Sequence, residues 1–266
     1  MSQVNHDPIW ETIRAEVTKS TKKEPMLASF LHAVVLNHRT LEDALSFQLA
    51  SKLGSSTLSE VSLRDLVDEA LANDPAIGPA FREDILAVRT RDPACRTHSA
   101  PLLYFKGFHA LQAHRVAHYY WWNGREPLAL FLQSRISEVF AVDIHPAARM
   151  GRGILMDHAT GVVIGETAVV GDNVSMLHHV TLRGTGKEVG DRHPKVGNGV
   201  LISVGASILG NVKIGDGAKI AAHAVVLTDV PPHSTFAGVP ARMVGHPTAP
   251  QPALEMDHSI AKENDE

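Results

Sequence analysis

Cysteine is nearly absent: Cys95 is the single one among 266 residues. One thiol cannot close an intrachain disulfide, so the fold must be held by its core, and the sequence reads as that of a cytoplasmic protein. Long apolar runs are missing as well. The longest, such as Ala33-Val34-Val35-Leu36, are far shorter than the roughly 20 residues that cross a bilayer. The opening residues, Met1 to Pro8, lack a basic segment followed by an apolar stretch, so neither a secretory signal nor membrane contact is expected. Nor is there an excess of positive charge. With a formal net charge of −4 the chain has no global basic field, which argues against nucleic acid as a partner; a small anion needs only a local patch.

What the chain does contain is apolar material, 44% of its residues, arranged with two different periods. Residues 1–141 read as a helical N-terminal domain. Thr40-Leu41-Glu42-Asp43 opens one helix, with Leu41, Ala44, Leu45 and Leu49 on one face. Ser62-Leu63-Arg64-Asp65 looks like a capping box for a second, ending near Asn73-Asp74-Pro75. Pro127 suits the first turn of a helix running to about Phe140. Phe105 to Trp122 is too apolar for a single stripe and predicts a helix buried on several sides. Core and subunit packing explains its aromatics, and His109, His114 and His118 among them, better than cofactor binding does.

From Ile144 the period becomes six: Ile144, Met150, Met156, Val162, Ala168, Val174 and Val180, then Val196, Ile202, Ile208, Ile214, Ile220 and Val226. All thirteen are apolar in a chain less than half hydrophobic, so the repeat is real. Small residues, such as Gly153, Gly165, Gly171, Gly199 and Gly205, recur three places later. A six-residue unit with one inward aliphatic fits one short strand and one corner. Three units make a triangular coil of about 18 residues, the hexapeptide form of the left-handed parallel β-helix. The fold class is therefore α+β: helices first, then a β-helix over residues 142–245. The sixteen-residue gap between Val180 and Val196 breaks the phase. Ten residues, 186–195, leave the coil within a loop spanning about 184–195, which is polar and rich in groups that bind anions or move protons. After Pro231-Pro232 comes a closing turn, Ala237 to Arg242, and residues 246–266 read as a flexible, solvated tail.

Local sequence goes further than the repeat. Val142-Asp143-Ile144-His145-Pro146-Ala147-Ala148, Asp157-His158-Ala159-Thr160-Gly161, Gly184-Thr185-Gly186-Lys187, Gly190-Asp191-Arg192-His193-Pro194-Lys195 and Ala237-Gly238-Val239-Pro240-Ala241-Arg242 together resemble the serine O-acetyltransferases. In the helical half, Glu24 to Phe30, Arg89 to Ala94, Pro101 to Tyr104 and Lys106 to Ala113 are similar to that family's N-terminal domain. The resemblance spans roughly residues 10 to 245. It implies transfer of acetyl from the co-substrate acetyl-CoA to the hydroxyl of L-serine, in cysteine synthesis, with no permanently bound cofactor and no metal.

The resemblance also distributes roles. His158 would be the general base and Asp143 the carboxylate that orients it; fifteen residues apart, they could meet across a corner. Taken alone, a histidine in a solenoid is more often structural. Asp92 and Asp157 would bind the serine amine, while Arg192 and His193, from a neighbouring chain's loop, hold the carboxylate; without the resemblance Asp92 reads equally as a turn before Pro93. Gly184, Thr185, Val204, Gly205, Lys219, Ala222 and Arg242 would line the groove for CoA. Arg183, Ser203, Val204, Ala221 and His223 stand there in place of the family's smaller residues. L-Cysteine, sharing the amine and carboxylate of serine, would inhibit at the same site. A shared site requires a trimer, and the family pairs two trimers into a hexamer. Its usual partner, O-acetylserine sulfhydrylase, takes a C-terminal isoleucine, whereas here Ile260 lies six residues inside a chain ending at Glu266, so that complex is not expected. Two other readings are a γ-carbonic-anhydrase-like metal hydrase, prompted by sixteen histidines including His178, His179 and His223, and a non-enzymatic hexameric scaffold.

Overall fold

The structure, a computed structural model, describes residues 6–186 and 189–260. Lys187 and Glu188 of the expected loop, and the terminus Ala261 to Glu266, lie outside the described residues.

The first half is helical: α1 (Pro8–Lys23), a short α2 (Ala28–Leu31), α3 (Leu41–Leu53), α4 (Glu60–Asn73), α5 (Ile77–Arg91), α6 (Ser99–Tyr104), α7 (Lys106–Trp122) and α8 (Glu126–Phe140). Thr40 forms the expected reciprocal cap with Asp43 on α3. On α4 the cap is Ser59 rather than Ser62: its hydroxyl accepts the Ser62 N–H, so the helix starts one turn earlier than the sequence motif suggests. Pro127 occupies the first turn of α8, and Ala141, at φ 56°, ends it. Every residue from Gly107 to Ala117 on α7 is buried; the helix has neighbours on several sides, as its aromatic content requires.

A buried charge joins the helices to the solenoid. The Asp84 carboxylate, wholly inaccessible, accepts from Arg115 Nη2 at 2.7 Å and Gln112 Nε2 at 2.9 Å, and its other oxygen accepts from the Ile154 backbone at 2.8 Å. Arg115 also donates to the Gly151 carbonyl. α5, α7 and the first coil are thereby fixed by one network.

The solenoid consists of three parallel sheets. Their inward columns run Ile144, Ile164, Leu182, Ile208, Val226; Met150, Val170, Val196, Ile214; and Met156, Met176, Ile202, Ile220, Phe236. Each of these apolar side chains aligns with the equivalent one in the next coil, and each full burial contributes about 1.5–3 kcal/mol. The phase differs from the sequence count. Ile144 aligns with Ile164, twenty residues on, whereas Ile164 aligns with Leu182, eighteen on. Two extra residues thus enter the first coil between Met156 and Val162, at the corner that carries His158. Counting by six slid past this because Val162, Ala168, Val174 and Val180 are themselves buried two places before the true column members. The loop is shorter than counted, too: Leu182 aligns with Ile208, twenty-six residues on instead of eighteen, an excess of eight residues rather than ten.

The solenoid closes with an antiparallel hairpin, Thr235–Gly238 and Ala241–Gly245. Beyond it the tail is packed against the solenoid as far as it is described. Pro252 and Ala253 in α9 (Pro252–Glu255) are buried, and the Ser175 hydroxyl donates to the Ala253 carbonyl at 2.8 Å. The tail's few apolar residues suffice because they meet an existing surface, not because they build a core.

Candidate active site

The corner between the sheet carrying Met156 and that carrying Val162 is the irregular one. His158 and Ala159 both lie in the left-handed region, at φ 55° and 59°, a conformation uncommon for residues with a side chain and held here by the surrounding structure. It turns the His158 ring outward, with 72% of the side chain exposed. The Asp157 carboxylate stands 3.8 Å from His158 Nε2. Lys106 Nζ, from the start of α7, donates to the Thr160 hydroxyl at 2.5 Å and braces the corner from the helical side.

Asp92 arrives from the other half. It ends α5, where its N–H donates to the Val88 carbonyl and its side chain accepts from the Ala94 N–H at 2.7 Å, so the turn before Pro93 is a side-chain-closed one. Just before it, the Arg91 guanidinium donates to Ser175 Oγ at 3.1 Å and Asn173 Oδ1 at 3.0 Å. Burial lowers its pKa to about 10, against which the Asp84 charge works; it remains a cation at neutral pH. Arg91 therefore fastens the end of α5 to the second coil and sets Asp92 beside Asp157. The result is a cleft of about 340 Å³ shared by Asp92, Asp157 and His158, with Tyr104, Phe105 and Phe108 among its walls.

Asp143 is not part of that cleft. Its carboxylate accepts from Gln133 Nε2 at 2.7 Å and faces a separate depression along α8. Among the described residues the carboxylate nearest to His158 is that of Asp157, so the expected Asp143–His158 hydrogen bond does not form within this chain. The reason is geometric: Asp143 lies mid-strand and pairs with Val163, past the enlarged corner.

Arg192 and His193 also stand apart from the cleft. Arg192 Nη2 donates to Glu166 Oε2 at 2.6 Å, and this guanidinium holds the Glu166 carboxyl below its ordinary range. Nothing in the sequence pointed to Glu166, because it is an outward polar residue of an ordinary repeat unit.

The positions expected to bind CoA fall in three places. Val204 with Gly205, and Ala222, occupy one corner in successive coils, where the His223 N–H donates to the Val204 carbonyl; Lys219 lies on the strand before it. His223, the large residue expected to crowd this corner, fits because Gly205 has no side chain: a Cβ there would lie 2.4 Å from His223 Nδ1. Gly184 and Thr185 are at the far end of the neighbouring sheet, Thr185 against Gly210, and Arg242 is in the closing hairpin. The tail reaches this surface. His258 Nδ1 is 2.8 Å from Ser203 Oγ, and Lys219, itself buried, donates to the Ser259 carbonyl and pairs with Asp257 at 3.8 Å. The histidines that suggested a metal are neighbours, with His158–His178 and His178–His179 ring centroids 5.7 and 5.4 Å apart. Among the described residues, however, no three of His, Cys, Asp or Glu are placed to share an ion.

Comparison with known proteins covers both halves of the chain. Residues 9–113 match the family described as serine acetyltransferase, N-terminal, and residues 193–228 the bacterial transferase hexapeptide repeats. The serine acetyltransferase of Salmonella typhimurium is 56% identical over 249 residues, covering 94% of this chain and 91% of that one. Three solved structures superpose closely. A serine acetyltransferase in complex with cysteine gives a TM-score of 0.93 at 52% identity, covering 95% of this chain and 98% of its own. The Brucella abortus enzyme with coenzyme A gives 0.90 at 52%, covering 92% and 98%. The soybean enzyme with serine gives 0.87 at 60%, covering 89% and 97%. Helical half, solenoid and identity along nearly the whole length agree: the chain belongs to the serine acetyltransferase family.

Proposed function

We propose that this protein transfers the acetyl group of acetyl-CoA to the side-chain hydroxyl of L-serine, giving O-acetylserine and CoA, and so commits serine to cysteine synthesis. The observation that carries the reading is the convergence of Asp92, Asp157 and His158 in one cleft although they come from different halves of the chain. Two carboxylates suit an ammonium group, and an exposed imidazole beside them suits a hydroxyl proton. Serine also has a carboxylate, and among the described residues the cation lining the cleft, Lys106, is bonded to the Thr160 hydroxyl. Arg192 and His193 supply the missing anchor from a second copy of the chain, which makes the site a shared one and the working unit a trimer, paired into a hexamer through the helices.

In the reaction His158 takes the serine hydroxyl proton as that oxygen attacks the thioester carbonyl. The tetrahedral adduct then collapses, the carbon–sulfur bond breaks, and the imidazolium returns the proton to the CoA sulfur. Asp157, at 3.8 Å, favours the transient imidazolium. CoA lies along Gly184, Thr185, Val204, Gly205, Lys219, Ala222 and Arg242, where it competes with the tail for Lys219 and Ser203. L-Cysteine, with the same amine and carboxylate, inhibits by taking the serine position. A coupled thiol-release assay with serine and acetyl-CoA tests the proposal: release that needs both substrates supports it, and release at the hydrolysis rate with or without serine refutes it.

A further inference from the structure

We propose that Thr167 is a positioning residue of the serine site: it fixes His193 as the neutral ring protonated on Nε2, so that His193 presents a hydrogen-bond donor to the amino acid and not a cation. The proposal rests on the reading above that Arg192 and His193 hold the serine carboxylate. It is carried by four hydrogen bonds on one residue. The Thr167 hydroxyl oxygen accepts the backbone N–H of Arg192 at 3.0 Å and that of His193 at 3.1 Å. Both lone pairs are then used, and the hydroxyl is left with a proton to give; His193 Nδ1 stands 2.9 Å away. The Thr167 backbone N–H, which can only donate, also points at Nδ1, at 3.2 Å.

Two donors on one ring nitrogen make it an acceptor, and the ring proton must be on Nε2. Protonating Nδ1 would set a donor against a donor and break both bonds. The ring sits close against Gly165, where a Cβ would be 2.0 Å from both Cδ2 and Nε2, so a side chain at 165 would displace it. The charged groups around it do not overturn the assignment. Burial first, then the Arg192 guanidinium, and more weakly Lys195 and His145, disfavour a proton on His193; only Glu166 favours one, and it is engaged by Arg192. Asp191 is a rival acceptor within reach of the Thr167 hydroxyl, and it also accepts from Lys195 Nζ at 2.6 Å and from Asn211 Nδ2 at 3.4 Å. Even if Asp191 won the hydroxyl, the Thr167 N–H would still hold Nδ1 as acceptor. The sequence carried no sign of this, since Thr167 is 26 residues from His193 and reaches it across the enlarged coil.

Nitrogen-15 NMR of the full-length protein labelled at histidine reads the tautomer without ligand, with the His193 signal identified by its loss in His193→Gln. The expected result is an Nε2-protonated ring unchanged from about pH 8 to about pH 6, the range in which an ordinary histidine titrates. An Nδ1-protonated ring, or one titrating near about 6.5, overturns the proposal even if no Thr167 variant folds. Kinetically, Thr167→Val is expected to raise the serine KM about tenfold with kcat within about twofold, and Thr167→Ser to restore it to within about threefold. An unchanged KM in Thr167→Val overturns the positioning role. If Arg192→Ala also leaves the serine KM unchanged, the assignment of this loop to serine fails, while the NMR result still judges the clamp by itself.

Discussion

The two halves of the molecule are built on opposite plans. In the solenoid each inward aliphatic meets its counterpart one coil away, so the structure is locally repetitive and each coil needs only its neighbours. In the helical half order depends on single, long-range contacts: Asp84 with Arg115 and Ile154, Gln48 with the carbonyls of Leu102 and Leu103, Glu16 with the backbone of His98 and Ser99. The proposed site arises where the two plans meet. His158 sits on a corner that breaks the coil length, Arg192 and His193 on the loop that breaks it again, and Asp92 on a helix end. Regularity builds the scaffold, and its interruptions carry the residues proposed for the chemistry.

That contrast can be pressed hardest at the irregular corner. His158→Ala is expected to lower kcat by about 10² to 10⁴ with an unchanged melting curve, because the side chain is exposed and supports nothing. A variant with near-normal turnover would remove the base from this corner. Asp143→Asn is expected to cost under about tenfold in kcat, since within the chain Asp143 is bonded to Gln133. A loss as large as that of His158→Ala would mean that assembly or substrate brings the two together.

Removing one partner of the buried charge should hurt folding, not chemistry. Asp84→Ala leaves Arg115 without its carboxylate and is expected to destabilise the protein by about 3–5 kcal/mol. Urea unfolding measures it; a cost under about 1 kcal/mol would show that the helices and solenoid do not depend on this network.

Acid should divide the halves as well. Burial lowers the His109 pKa to about 4 and holds His114 and His118 below the ordinary value. A histidine with a depressed folded-state pKa contributes its full share above the unfolded value of about 6.5 and loses it as pH falls towards 4. For His109 that amounts to about 3 kcal/mol. All three are on α7, so amide exchange should quicken in the helical half between about pH 6.5 and 4 while the solenoid core stays protected. His109→Leu is expected to flatten this dependence, and uniform exchange in both halves would contradict it. The smallest effect concerns the tail. Ending the chain at Met256 frees Lys219 and Ser203 and is expected to lower the KM for acetyl-CoA about threefold; an increase would mean that the tail helps to hold CoA.

How much of this was readable in the sequence follows the same division. Thirteen aliphatics at a six-residue spacing made the β-helix legible, because its order is periodic. The two-residue slip at Asp157 to Gly161 was not, since Val162 and Val180 stay apolar in either phase. Helix starts at Thr40 and Pro127 were plain from local chemistry. The contacts of Arg91 with Ser175 and Asn173, of Lys106 with Thr160 and of Thr167 with His193 join residues that only the fold makes neighbours, and no short window of sequence contains them. The His158–Asp143 pair suggested by the spacing is not formed within one chain, where Asp143 is bonded to Gln133, a partner that the spacing does not reveal.

The central claim is that one copy's Asp92, Asp157 and His158 work with another copy's Arg192 and His193. Co-expressing His158→Ala with Arg192→Ala tests it most directly, because a mixed assembly can hold a site in which both residues are intact only if they come from different chains. The expected result is that each variant alone is nearly inactive at moderate serine and that the co-expressed mixture, purified through tags on both chains, regains a substantial part of the activity. Mixed assemblies no more active than the better single variant would contradict the shared site and return all five residues to one chain.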